Sequence, residues 1–179
     1  GGVPAGGAAI PTLDYFRTLA RYNQWANRRL YAACAQLGEA EYMKPRPAFF
    51  GSLHGTLNHL LVGDRLWMGR ITGHESGIKA LDQILCGDFA GPRVAREAED
   101  AQIINAVDAM DEPTLNTTLR YKALVDGQTT SMPMRMVLAH LFNHATHHRG
   151  QAHGLLSQTA VKPPPLDLIF FLRVMGPGP

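Results

Sequence analysis

Four of the chain's eight histidines fall in one run, NHATHHRGQAHG, from Asn143 to Gly154. Imidazole titrates closest to neutral pH and is the commonest nitrogen ligand for metal ions. A helix turns about 100° per residue, so with His140 at the origin His144 lies near 40°, His148 near 80°, His147 near −20° and Gln151 near 20°. These five share a face with Leu155, while His153 points almost the opposite way, toward solvent. Residues four apart sit one above the other, roughly 6 Å apart. Either His140/His144 or His144/His148 can therefore bring two ring nitrogens to one ion at metal–nitrogen distances of about 2.0–2.1 Å. Spacing alone leaves a second reading open, a polar helix face whose histidines hydrogen-bond to neighbouring helices.

The segment SLHGTLNHLLVGDRLW adds His54 and His59. Five apart, they face differently. His59 shares a side with Thr56, Leu66 and Arg70 and lies beside Leu60, which turns it toward the core. A lone core histidine is ordinarily a hydrogen-bonded packing residue, but helical bundles do build metal sites from facing helices. One nitrogen from this segment and two from the later run make a three-nitrogen site. Three protein ligands leave positions for water or substrate, as catalytic rather than structural metals require.

The elements that must position these residues are mostly helical. Leu13 to Leu37 repeats Tyr15, Leu19, Tyr22, Ala26 and Leu30 at helical spacing, with Thr12 as N-cap and Gly38 as stop. KPRPAFFG is a linker because of its two prolines. Ser52 caps a second helix over Leu53–Ile71 that ends at Gly73, and His74 to Pro92 is mostly loop. Pro92 opens a third helix to about Met110. TLRYKALVDGQTTSMP changes period to a two-stranded hairpin turning at Asp126-Gly127, which must pack on a helix or a partner. The fourth helix spans Pro133 to Ser157, and LDLIFFLRV is a short apolar helical turn or strand that packs on the bundle or at a dimer contact. The expected fold is all-α: an up-and-down-type four-helix bundle over residues 12–179 with a small β-hairpin between helices 3 and 4.

Composition narrows the partners. The net charge is +2 with scattered basic residues, so no clustered basic face for nucleic acid is expected. No apolar run reaches the ~20 residues needed to span a bilayer. Cys34 and Cys86 are far apart with no CxxC pattern, and read as free thiols of a cytoplasmic protein. Residues 1–11 read as an expression scar or flexible tail rather than a signal peptide. There is no Gly-rich phosphate loop and no serine nucleophile motif.

YNQWAN, SLHGTLNHLLVGDRLW and HLFNHATHHRGQ together resemble the DinB superfamily, and the resemblance runs from about Leu13 to the C-terminal tail. The HHRGQ run after a histidine four residues upstream is its most specific element. The resemblance implies a four-helix bundle, a homodimer, and a divalent metal, often zinc or nickel, held by one histidine of the second helix and two of the last. In this chain those positions are His59, His144 and His148. It also implies thiol-dependent chemistry: transferases that use a low-molecular-weight thiol as co-substrate, or isomerases.

The other polar residues of the stripe have less settled roles. His147, three residues from His144, is a proton carrier, a hydrogen-bonding neighbour of the ligands or a packed polar residue. His140 and Gln151 orient ligands through hydrogen bonds or bridge helices. Arg149 points away and is structural, and Gly150 is expected to allow close helix contact. Asn23 and Asn27 line a pocket or lie on the surface, Trp25 and Trp67 are core, and Asp64 pairs with an arginine. The leading reading is a metal-dependent transferase, isomerase or hydrolase acting on a small-molecule electrophile in detoxification or stress response. The alternatives are a non-enzymatic metal-binding sensor or structural protein, and a metal-free polar core.

Overall fold

The computed structural model describes residues 10–176, so the expected N-terminal tail lies almost wholly outside the described residues. The elements are α1 (Thr12–Cys34), α2 (Glu39–Met43), α3 (Leu53–Thr72), α4 (Ala90–Ala109), α5 (Glu112–Leu115), β1 (Thr118–Lys122), β2 (Thr129–Pro133), α6 (Met134–Leu156) and α7 (Leu168–Met175). The chain is therefore mostly helical with one two-stranded antiparallel sheet. No helix among the described residues is long and apolar enough to cross a membrane.

Local chemistry sets several boundaries where expected. Ser52 Oγ accepts the Gly55 amide at the start of α3, and Gly73 ends that helix at a left-handed φ of 75°. Thr12 is not the cap of α1: Pro11 holds that position without a side-chain bond. The Leu13 amide instead donates to Glu112 Oε1 at 3.1 Å, so α1 is capped from a residue distant in sequence. Gly38 is not a stop either. With φ −67° it opens α2, a short helix absent from the sequence pattern.

Tyr22, Ala26 and Leu30 of the expected stripe are buried, but Tyr15 is 52% exposed, and the buried face extends instead through Phe16, Ala20, Asn23, Asn27 and Cys34. Two asparagines on the inward face disguise it as polar. Arg149 Nη1 donates to Asn23 Oδ1 at 2.7 Å and to Asn27 Oδ1 at 2.8 Å. Both asparagine amides donate to Asp100 Oδ1. Arg96 Nη2 lies 2.7 Å from Asp64 and 2.7 Å from Asp100. Asn23 and Asn27 are thus not surface residues, and Asn27 lines a small cavity of about 260 Å³ with Tyr31, Arg96 and Asp100. Gly150 is exposed, and a Cβ there would touch nothing, so it does not serve a close helix contact.

This polar layer separates the two larger of three apolar clusters, one around Phe16, Met68, Ile103 and Leu138, the other around Leu30, Leu57 and Leu156. Membership of the two clusters gives the helix directions: the start of α1, the ends of α3 and α4 and the start of α6 share one end. The long helices run up-down-down-up, not alternately up and down. α1 packs against α4 and α6, and α3 against the same two. α1 and α3, successive long helices, lie across the diagonal. Long connections allow this. Residues 73–89 run the length of the molecule, since the roughly 30 Å of a 20-residue helix is well within the reach of an extended segment of that size.

β1 pairs with β2 from Thr118↔Pro133 to Lys122↔Thr129 and packs on α3 and α6. Its turn is a wider loop, Ala123–Gln128, closed by the Gly127 amide on the Ala123 carbonyl; Gly127 alone takes positive φ, and Asp126 does not. The apolar tail forms α7, with Phe171 buried against Tyr22 and Trp25. His153, expected in solvent, is half-buried, and its Nε2 donates to the Pro164 carbonyl at 2.9 Å, tying the tail segment to α6.

Candidate metal centre

α3 and α6 are antiparallel neighbours, and their facing surfaces bring His59 to His144 and His148. One ring nitrogen of each lies within 4.8 Å of the others. Ring centroids are 5.2 Å apart for His59 and His144, and 4.5 Å for each of the pairs made with His148.

Hydrogen bonds set the tautomers. His59 Nδ1 is 2.9 Å from the Leu81 carbonyl, which can only accept, so Nδ1 carries the proton and Nε2 keeps its lone pair. Leu81 belongs to the connection that runs the length of the molecule, and Asn58 holds that segment by donating to the Gln83 carbonyl and accepting the Leu85 amide. His148 Nδ1 is likewise 2.8 Å from Gln151 Oε1, one helical turn ahead. His144 makes no hydrogen bond among the described residues, and its Nδ1 is buried without a partner. A buried nitrogen left unpaired beside two imidazoles with free lone pairs is the arrangement a metal ion would satisfy.

Burial and the neighbouring imidazoles press the pKa of His144 down to about 3. Burial lowers that of His59 and His148 as well. The three rings are thus neutral at physiological pH, the form in which imidazole ligates metal.

Gly63 makes room for this arrangement, and its role is not apparent from motif spacing. A Cβ there would stand 2.7 Å from His144 Cε1 and 3.3 Å from its Nδ1. The available signal was a glycine inside an amphipathic helix, four residues after His59, where it costs about 1 kcal/mol relative to alanine without a packing reason. Phe50, from the proline-containing linker, stacks on His59 with centroids 4.0 Å apart and a 17° interplanar angle, and meets His148 edge-on.

The remaining stripe residues divide. Gln151 touches a site ring directly. His140 is exposed, edge-on to Trp67 at 5.0 Å and 5.6 Å from His144, without a hydrogen bond to either. His147 is exposed, its ring 4.7 Å from that of His148. His54 turns away and bonds the Tyr42 hydroxyl at 3.2 Å. A cleft of about 410 Å³ opens over the three histidines. Phe50, Leu66, Trp67 and Leu81 wall one part of it, and Tyr121 with the hairpin loop Ala123–Val125 the other.

A model of the DinB family matches residues 11–178. Protein DinB of Bacillus subtilis (strain 168) is 22% identical over 174 residues, an alignment covering 89% of this chain and 94% of that protein. With the family model spanning nearly the whole sequence, the chain belongs to the DinB family.

Proposed function

We propose that His59, His144 and His148 hold a divalent metal ion, zinc or nickel, and that the chain is a metal-dependent enzyme. The proposed reaction is transfer of a low-molecular-weight thiol to a small electrophile, as in detoxification or stress response. The observation that carries this reading is the convergence of one ring nitrogen each of His59, His144 and His148 within 4.8 Å, with His144 free of any hydrogen bond among the described residues and the other two rings held through their Nδ1 atoms. A metal bound by three histidines supplies a Lewis acid with open positions, able to lower the pKa of water or of a thiol. The chain's own residues do the positioning. The Leu81 carbonyl and Gln151 fix two rings, Phe50 covers His59 from solvent, and the cleft receives a small molecule.

A non-enzymatic sensor or structural metal protein is the alternative. Among the described residues three donors converge, with a cleft beside them, and this supports the enzyme. The four long helices are proposed to constitute a four-helix bundle domain over residues 12–179, working as a cytoplasmic homodimer.

The test is elemental analysis of protein purified without a nickel column, extended to His59→Ala and His144→Ala. About one metal per chain is expected in the wild type and far less in both variants. Sub-stoichiometric wild-type metal, or unchanged content in both variants, would sink the ligand assignment. A screen of low-molecular-weight thiols with model electrophiles tests the chemistry, and no metal-dependent conjugation with any thiol would count against it.

A further inference from the structure

Arg70 lies two turns beyond Gly63 on α3, in the wall of the cleft over the histidines. It is the only side chain of fixed charge lining that cleft among the described residues, and no carboxylate lines it. Its guanidinium carbon lies 4.5 Å from the Trp67 centroid and 4.5 Å from that of Tyr121, in the corner these two edge-to-face rings make. One Nη donates to the Lys122 carbonyl at 3.1 Å. Arg70 has no ion pair among the described residues, whereas Arg96 has Asp64 and Asp100, Arg65 has Glu99, and Arg21 has Asp108. A half-buried guanidinium positioned by two aromatic rings and one carbonyl, without a counter-ion and facing a cleft, is a preformed anion receptor. Its planar fork matches a carboxylate.

Side chains on a helix lean toward its N-terminus, here toward Gly63 and the histidines. Gly63 and Arg70 are separated by about 10 Å of helix rise, and the length of the arginine shortens the gap. The lining between them is largely apolar, with Phe50, Leu66, Leu81 and Leu124. One arginine in an apolar cleft suits a monoanion better than a phosphate dianion.

We propose that Arg70 is a carboxylate-recognition residue, and that the cleft takes a small acid with an apolar or aromatic body, its carboxylate on Arg70 and its reacting end toward the histidines. The inference deepens the metal-enzyme reading and rests on it for the reacting end alone. The carboxylate belongs either to the electrophile or to the thiol co-substrate.

Two acids, 3-phenylpropionate and 3-mercaptopropionate, are titrated against their neutral amides, by calorimetry and by tryptophan fluorescence, which Trp67 beside Arg70 reports. The proteins are zinc-loaded wild type, chelator-stripped wild type and zinc-loaded Arg70→Gln, with Arg70→Met as a second variant that keeps the packed stem should the first not fold. An acid-over-amide preference of about tenfold is expected, the worth of a charge-assisted hydrogen-bond pair. Stripping should preserve it, and either variant should abolish it while retaining its zinc. Preference for the aromatic acid alone assigns the carboxylate to the electrophile, and preference for the thiol acid alone assigns it to the co-substrate. Absence of preference for both acids overturns the proposal, as does a preference that survives loss of Arg70. A preference lost on stripping but kept in the variants places the carboxylate on the ion and also overturns it. Failure of the wild type to take up zinc would defeat the metal reading, yet the metal-free protein would still report on Arg70.

Discussion

At the scale of single residues, the centre depends on groups that are not ligands. Gly63→Ala would drive a methyl to 2.7 Å from His144 Cε1. We expect metal affinity to fall roughly ten- to hundredfold, as for other changes that misorient a ligand. Helix propensity would meanwhile favour alanine by up to about 1 kcal/mol. Competition with a chromogenic chelator and a thermal melt separate the two effects, and unchanged affinity would count against the role given to Gly63. Gln151→Leu removes the acceptor that holds His148 Nδ1–H. A similar loss of affinity is expected, with recovery in Gln151→Glu, which restores an acceptor. No recovery would mean that Gln151 acts by packing.

At the scale of elements, α3 and α6 carry the three histidines, and α1, α4 and the connections hold that pair in place. Arg96 of α4 links to Asp64 of α3 through a fully buried ion pair. Burial raises the pKa of Asp64 and Asp100, against the pull of Arg96. Arg96→Met would leave both carboxylates without their cation, at a cost of about 3–5 kcal/mol. Urea denaturation measures this, and a loss well under 1 kcal/mol would show that the layer contributes little. The ends of α3 were legible because Ser52 and Gly73 act through local backbone geometry. The start of α1 was not, because its capping group comes from Glu112. The inward face of α1 was only partly legible, because hydrophobic periodicity finds Tyr22, Ala26 and Leu30 but treats Asn23 and Asn27 as surface, although Arg149 and Asp100 satisfy them inside.

At the scale of the molecule, the depressed His144 pKa links the site to global stability. An unfolded histidine binds its proton near pH 6.5, whereas the folded His144 resists it down to about 3. Between those values the unfolded state holds more protons at this residue, so the His144 contribution to the stability of metal-free protein falls as pH falls through that window. The buried Asp64, Glu99 and Asp100, whose pKa values burial raises, act with the opposite sign. They are common to wild type and His144→Asn, so the difference between the two isolates the histidine. Metal-free wild type should gain on the variant as pH rises from about 5 to 7, read from denaturation midpoints. Parallel pH curves would refute the coupling.

The sequence by itself determined the helical class, the ends of α3, α4 and α6 to within two residues, the family resemblance and the candidate ligands His59, His144 and His148. The helix ends follow from periodicity and capping chemistry readable within one segment, and the ligand set is the one the family resemblance implies. Only the tertiary structure decided the up-down-down-up order, the polar layer, the hairpin wall of the cleft and the stacking of Phe50 on His59. It also decided which nitrogen of His59 stays free, through a carbonyl 22 residues along the chain. Helical phase is a local property. The partner of each face is not, because it depends on how long connections cross the molecule and on burial that makes an unpaired nitrogen costly.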